Sequence, residues 1–591
     1  MNQDRIIVTR KTGRVKASTI AFKLSGLMSK SVPFASQDVF NTHRAKRSEV
    51  LIPPTLGAID KLGEWCDNHN VSMLLSEAVE EFLKKLKVSQ KRLEVPTYVA
   101  PSRLSLYPHQ EEGIDWLLKH MKLTHNGSLL GLIADDPRLG KSITAITALA
   151  TALNEDVWNK HKFILVLCPK PIVHQWKHYF EEWFPKQDIK DIVVLSGSKT
   201  DREFTLAQLL KDSKKITARC TVVITNYHTL YMRIADFKDL KWWALIADEA
   251  HVLKNRKAKL SKVIKEIKSE HKLLLSATFT ESTSAELWQP LHIVSPRRFG
   301  SYWNFARLYS DIKTTEFSYE VSGSRNRGMM KEVLEPYYIR RTSEVLGDKI
   351  NAKIRETWYC EADLDFDKAL KVYEAVENDT IIELSEGFMN ITSQLARLTR
   401  LRQVAIHQSL IDKNILIEQM TLDDLKLSPK LMLLEQLLAK HIPQDEQVIV
   451  YSSFIDGARL AKRLLDPYGK AEMYAGATGD EKTIQAFKNN EFRILCATPQ
   501  RGGVGLTLNN ADWIVYLDQP WSSILLRQSE DRTRAMGKSK PTTIIKLVLK
   551  NTVDEVINQL LSSKLEEIGE KMITQEVVKY LQAKKKGDFE L

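Results

Sequence analysis

Leu129-Leu130-Gly131-Leu132-Ile133-Ala134 runs directly into Asp135-Asp136-Pro137-Arg138-Leu139-Gly140-Lys141-Ser142, and then into Ile143-Thr144-Ala145-Ile146-Thr147-Ala148-Leu149-Ala150-Thr151. The first six residues carry no polar side chain, as expected of a strand covered on both faces of a parallel sheet. The last nine are small or apolar and contain neither glycine nor proline, which suits a packed helix. Strand, tight loop, Gly-Lys-Ser and helix is the arrangement in which backbone N–H groups and a helix N-terminus cradle a β-phosphate. In it Lys141 bridges β and γ oxygens and Ser142 ligates Mg²⁺. Asp136, Arg138, Leu139 and Gly140 complete the expected nucleotide-binding loop. The regular pattern has glycine where Asp135 stands, and a Gly-Lys-Ser tripeptide alone is common, so the case rests on its surroundings.

Those surroundings repeat the same rhythm. Phe163 to Cys168, Ile192 to Leu195, Thr221 to Thr225, Ala244 to Ala247 and Lys272 to Leu275 read as further buried strands. Helical stretches such as Gln175 to Trp183 lie between them, which makes the units βαβ. The strand ending at Ala247 is followed by Asp248-Glu249-Ala250-His251. A carboxylate at the C-terminal end of a parallel strand sits where such sheets bind ligands. Asp248 is expected to hold Mg²⁺ through water and Glu249 to orient or deprotonate an attacking water. The tetrapeptide comes about a hundred residues after the loop, on a strand expected to be adjacent.

The rhythm breaks near Ser301, and the chain then reads mainly helical to about Leu427, including Phe366 to Ile382 and Met389 to Ala405. Strand signals return at Gln447 to Tyr451, Arg493 to Cys496, Trp513 to Leu517 and Thr542 to Leu549. This predicts an N-terminal accessory region over 1–100, an ATP-binding α/β lobe over 101–300 and helical insertions with a linker over 301–428. A second α/β lobe over 429–560 and a C-terminal helix with a basic tail over 561–591 complete the division. A length of 591 residues agrees with several domain-sized units.

One lobe can bind ATP but lacks the cation that spreads charge over a transferring phosphoryl group. The second lobe offers Gln528-Ser529-Glu530-Asp531-Arg532-Thr533-Arg534. Arginines there would reach the nucleotide on lobe closure, tying hydrolysis to movement.

Charge and cysteine content bound the partners. A net charge of +12 suits a polyanionic partner and equally suits simple solubility. Seven of the basic residues fall in the first thirty positions: Arg5, Arg10, Lys11, Arg14, Lys16, Lys23 and Lys30. Five scattered cysteines without paired spacing argue against a zinc knuckle or a disulfide framework and for a reducing, intracellular compartment. No apolar run approaches the length of a membrane span.

With these residues in hand, the chain resembles the Swi/Snf-type translocases of helicase superfamily two over roughly 104–560. Leu106 to Gln110 with Gly113 and Trp116-Leu117 is similar to the family's adenine-side Gln motif, and Pro169 with Gln175-Trp176 and Trp183 to motif Ia. Val222 to Tyr227 resembles motif Ib, and Leu273 to Thr278 motif III. Glu286-Leu287-Trp288, Tyr338-Ile339-Arg340-Arg341, Leu401-Arg402-Gln403 with His407, Ser428-Pro429-Lys430-Leu431, Thr498 to Leu508 and Pro520-Trp521 follow in the family's order. The resemblance implies two RecA-like lobes in an α/β fold, ATP and Mg²⁺ as cofactors, and a double-stranded DNA partner whose backbone is tracked without full strand separation. By motif it places Gln110 and Gly503 at the nucleotide. Lys170, Gln175, Trp176 and Tyr227 on the first lobe, with Ser453, Arg501 and Trp521 on the second, are candidates for nucleic-acid contact. Arg138 stands where the family has glycine. Ala535 stands where it has a second arginine, for which Arg534 is expected to substitute. A strand-separating helicase and a non-hydrolysing ATP-gated clamp are the alternative readings. Other DNA-processing proteins are further expected partners, no membrane is, and the minimal architecture points to a prokaryotic cell or a phage-infected host.

Overall fold

The computed structural model describes residues 5–12, 19–26, 49–52 and 72–76, a few further positions before 105, and most of 105–562. The residues outside that description include 503–506 and 535–537, so Gly503 and Ala535 lie there. So do Arg14, Lys16, Lys30 and the basic tail Lys584-Lys585-Lys586. The chain divides into two compact units, Met1–Val345 and Leu346–Leu591.

The first unit opens with β1 (Arg5–Thr12), β2 (Thr19–Gly26), β3 (Glu49–Ile52) and β4 (Ser72–Leu75), which form one sheet in the order β3-β2-β1-β4. Arg5, Arg10, Lys11 and Lys23 fall on its two longest strands. Helix α1 (Pro108–Leu123) then leads to β5 (Leu130–Ile133), α2 (Lys141–Glu155), β6 (Lys162–Cys168) and α3 (Val173–Trp183). The strands β7 (Ile189–Val194), β8 (Cys220–Asn226), β9 (Trp242–Asp248) and β10 (Ser269–Leu275) follow. After a small hairpin of β11 (Asp311–Thr314) and β12 (Tyr319–Ser322) comes β13 (Tyr338–Ile339).

The central sheet runs β13-β5-β10-β9-β6-β8-β7, and every pairing in it is parallel. Its apolar runs are continuous because successive residues serve opposite faces. Leu165, Leu167, Val223, Leu245, Ala247 and Leu274 enter one core. Ile164, Val166, Val222, Ile224, Ile246 and Leu273 enter the other, beneath α1, α2 and α3. Each fully buried aliphatic side chain contributes about 1.5–3 kcal/mol.

The second unit starts with β14 (Lys353–Cys360), α4 (Asp367–Asn378), a hairpin of β15 (Ile381–Glu383) and β16 (Phe388–Asn390), and α5 (Gln394–Ile406). Its sheet also takes β17 (Val448–Tyr451), β18 (Ala471–Tyr474), β19 (Ile494–Ala497), β20 (Trp513–Tyr516) and β21 (Thr542–Leu549). The order is β14-β21-β20-β17-β19-β18, again parallel throughout. Val448, Val450 and Val515 bury on one side, and Ile449, Tyr451 and Ile514 on the other. The architecture is α/β with two parallel sheets.

Two details differ from the sequence reading. β10 lies between β5 and β9, so the strand carrying Asp248 is not adjacent to the one that feeds the loop. The stretch 301–428 is also less helical than its pattern suggests. β13 extends the first sheet and β14 the second, because each finds an open parallel edge, on β5 and on β21.

Candidate nucleotide-binding site

The loop between β5 and α2 is held from three sides. Lys141 Nζ donates to the backbone oxygens of Asp135 (2.7 Å) and Asp136 (3.2 Å). Leu139 O accepts from Gln110 Nε2 at 3.4 Å and lies 2.9 Å from His109 Nε2. Gly140 has φ +82°, and a Cβ there would meet Gln110 Nε2 at 2.2 Å, so only glycine admits this approach. Arg138 also sits in the left-handed region, at φ +70°. A glycine is the easier residue at that angle, and the arginine keeps it at a strain of about 1–2 kcal/mol. Asp136, half-buried, accepts from the Ser343 N–H at 3.0 Å, and Ser142 lies in the first turn of α2.

Asp135 is fully buried and bound by Arg341, whose Nε and backbone N–H each donate to Oδ1 at 3.0 Å while Nη2 pairs with Oδ2. This accounts for an aspartate where a phosphate loop ordinarily begins with glycine. A buried carboxylate needs a cation, and the signal for one was a charged residue directly after an apolar strand.

Asp248 closes β9, with Oδ2 accepting from Trp176 Nε1 and Oδ1 from the Glu249 N–H, both at 2.9 Å. Burial pushes its carboxyl up to about 6 and the neighbouring Glu249 adds to that shift, while the Trp176 hydrogen bond and Lys141 oppose it. Lys141, the first residue of α2, and Asp248, the last of β9, are therefore placed so that the ammonium favours the ionised carboxylate. Glu249 holds a strained φ of +50°. Its Oε2 lies 3.2 Å from His251 Nδ1, which in turn lies 3.3 Å from Ser276 Oγ at the end of β10. The intervening strand thus touches the acidic pair through a histidine.

In the second unit, Gln528 is buried on α6 (Ser523–Glu530), and the turn that follows carries Arg532. Lys353 Nζ lies 2.6 Å from Asp531 Oδ1 and 3.1 Å from Glu530 Oε2, and Arg355 Nη2 lies 2.6 Å from that same Glu530 oxygen. Arg534 Nε donates to Asn351 O at 3.4 Å and its Nη1 lies 3.7 Å from Asp531, so this arginine is tied to its own unit. For Arg534 to reach a phosphate, these bonds must be released.

A model of the SNF2-related domain matches residues 109–410, and one of the helicase conserved C-terminal domain matches 429–537. The chain belongs to the SNF2-related family. The Homo sapiens protein named SWI/SNF-related matrix-associated actin-dependent regulator of chromatin subfamily A member 1 is 28% identical over 507 residues, covering 83% of this chain and 46% of that protein. The ISWI chromatin-remodeling complex ATPase ISW1 of Saccharomyces cerevisiae is 26% identical over 485 residues, with 80% and 41% covered. This chain thus spans less than half the length of these relatives. The solved Sulfolobus solfataricus SWI2/SNF2 ATPase core in complex with dsDNA is 18% identical, with 84% of this chain and 98% of that one covered, at a TM-score of 0.37.

In this SNF2-family chain several expected nucleic-acid residues have other duties. Trp176 is fully buried with its N–H on Asp248, and Tyr227 is nearly buried with its hydroxyl donating to Asp248 O at 2.6 Å. Both shape the acidic strand end and present no face to a groove. Arg501 caps the backbone oxygens of Gly476, Thr478 and Gly479 and stacks over Tyr474, which commits its guanidinium locally. Ser453 and the buried Trp521 do converge, but around Arg402. That guanidinium donates to Asp518 at 2.8 Å and to Ser453 at 3.0 Å, and lies 5.1 Å from the Trp521 ring. Lys170 is exposed and Gln175 half-buried with its amide on Tyr179. Arg341, Lys353, Arg355, Arg402 and His109 are the supporting residues to which sequence reasoning gave no role. Their partners lie from 30 to 206 positions away, beyond any local pattern.

Among the described residues no helix is long and apolar enough to cross a membrane.

Proposed function

We propose that this chain is an ATPase stimulated by double-stranded DNA that translocates along the duplex and remodels DNA or DNA–protein complexes without fully separating the strands. The observation that carries the reading is the placement of Lys141, on the loop and helix that follow β5, and of Asp248, the last residue of β9, at the C-terminal end of one parallel sheet. That end is where such sheets take nucleotides. The names of the relatives, a regulator of chromatin and a remodelling ATPase, support the same class of activity.

The donor set suits Mg²⁺ held jointly with a nucleotide. No group of three or more acidic, histidine or cysteine side chains able to hold a metal occurs among the described residues, so a dedicated protein cage is not what this site offers. Ser142 Oγ and Asp248, acting through water, would hold the ion against phosphate oxygens, and Asp248 keeps lone pairs beyond its two accepted hydrogen bonds. When bound, Mg²⁺ neutralises charge on the β- and γ-phosphates. In the proposed cycle Lys141 leaves the loop carbonyls for the phosphates, and the first-turn amides of α2 cradle the β-phosphate. Glu249 orients the attacking water, with His251 and Ser276 fixing its position. Arg532 supplies the missing cation on closure, which couples turnover to movement. Lys170 and Gln175 are the proposed backbone contacts on the first unit. Such contacts carry no base information, so sequence indifference follows.

The test is ATP turnover without nucleic acid and with single-stranded DNA, duplex DNA or duplex RNA. Duplex DNA should raise the rate at least about tenfold, and Lys141→Ala should lower it by roughly 100-fold or more. Tight nucleotide-dependent DNA binding without turnover would establish the clamp instead, and strand displacement would establish the helicase.

A further inference from the structure

The chain passes from one unit to the other through the eleven residues 342–352. Just before them, Arg341 is fixed on Asp135 by three donors, the Asp136 N–H donates to Arg341 O at 2.9 Å, and the Ser343 N–H donates to Asp136 at 3.0 Å. The guanidinium also presses on α1. A Cβ at Gly113 would meet Arg341 Nη2 at 2.6 Å, so helix, phosphate loop and connector meet at one side chain. Just after the stretch, Lys353 is only 8% exposed and pairs with Glu530 and Asp531, with Arg355 joining on Glu530. Those two acids immediately precede Arg532. Each end of the connector is therefore fastened to a segment that the proposed chemistry uses.

Buried ion pairs are a poor source of stability, because desolvation offsets most of their attraction, but they hold geometry tightly. The stretch between them has little reach, at most about 40 Å when fully extended. Part of that reach is stored in the short 3₁₀ turns of Ser343–Lys349, which kink at Gly347 with φ +51°. A 3₁₀ turn rises about 2.0 Å per residue against about 3.3 Å in an extended chain, so unwinding seven residues releases roughly 9 Å. A larger excursion of one unit must pull on an anchor.

We propose that Arg341 and Lys353 are paired positioning residues, which fasten one short connector to the phosphate loop and to the arginine-bearing turn, so that nucleotide held at the first alters the second. This rests on the ATPase reading above. A shift of the loop on nucleotide binding moves Asp135, Arg341 follows it, and the connector carries the displacement to Lys353 and the turn.

The test inserts Gly-Ser-Gly-Ser after Gly347, where the backbone faces open space, leaving both ion pairs and both cores intact. Hydrogen exchange of the full chain is followed with and without AMP-PNP and Mg²⁺. In the unmodified chain the nucleotide should slow exchange in 135–142, 341–345 and 528–534. In the insertion variant the first two effects should persist and the third should fall at least fivefold. Protection at 528–534 that survives the insertion overturns the proposal. As a second arm, Lys353→Met should lower kcat with duplex DNA tenfold at unchanged KM for ATP, and Lys353→Arg should restore it. A parallel change in KM and kcat that Arg does not rescue refutes a positioning role. An unmodified chain whose turnover ignores duplex DNA refutes the proposed function instead, and the exchange experiment still reads the connector.

Discussion

Asp248 is ionised at neutral pH against the resistance of its surroundings. Burial raises its carboxyl to about 6, helped by the charge of Glu249. A carboxyl so raised favours a folded state that is protonated, so ionising it at pH 8 costs stability. Asp248→Asn should therefore stabilise the first unit at pH 8 by roughly 1–3 kcal/mol, with the gain vanishing as pH falls toward 4. The same variant should lose Mg²⁺-dependent nucleotide binding, a trade of function for stability. In the unmodified chain Mg²⁺–nucleotide affinity should fall about tenfold per pH unit below 6, because the ion must displace a proton. Calorimetric titration between pH 5 and 8 checks this, and a flat profile would contradict it. The residue type at 248 was legible from its place after an apolar strand. Its raised pKa was not, since the burial that causes it, and the Trp176 and Lys141 contacts that oppose it, come only with the fold.

At the scale of an element, the turn after α6 is set by β14. Burial pushes the Glu530 carboxyl up, but Lys353 and Arg355 more than offset this and hold it below the ordinary glutamate value of 4.5. The stability this supplies is present at neutral pH and is lost as pH falls below 4.5. Lys353→Met leaves two buried acids with too little positive charge and should destabilise the second unit by about 3–5 kcal/mol at pH 7. The difference should shrink toward pH 5, because in the variant Glu530 has lost the Lys353 charge that opposes burial and takes up a proton more readily than in the unmodified chain. Chemical denaturation at the two pH values measures it, and an equal loss at both would exclude this cause. The segment containing Arg532 was recognisable from sequence. The strand that holds it was not, because Lys353 to Cys360 carries a charged, half-exposed pattern that only pairing with β21 turns into a strand.

At the scale of the whole molecule, the two units carry separate cores around separate sheets. Unfolding of the full chain is accordingly expected in two transitions rather than one. Mg²⁺–AMP-PNP at 100 times its dissociation constant should shift the transition of the first unit by about 2.7 kcal/mol. Scanning calorimetry reads both expectations, and a single transition would show that neither unit unfolds without the other. What the sequence alone determined is the class of fold and the chemistry on offer: buried strands announce themselves by unbroken apolar runs, and Gly-Lys-Ser and Asp-Glu-Ala-His are local patterns with local meaning. What the tertiary structure decided is which charges answer which. Arg341 finds Asp135, Trp176 turns from a groove candidate into a support for Asp248, and Arg501 is taken up by the turn that follows β18. Such pairings depend on strand order and on desolvation, and both arise only when distant segments come together.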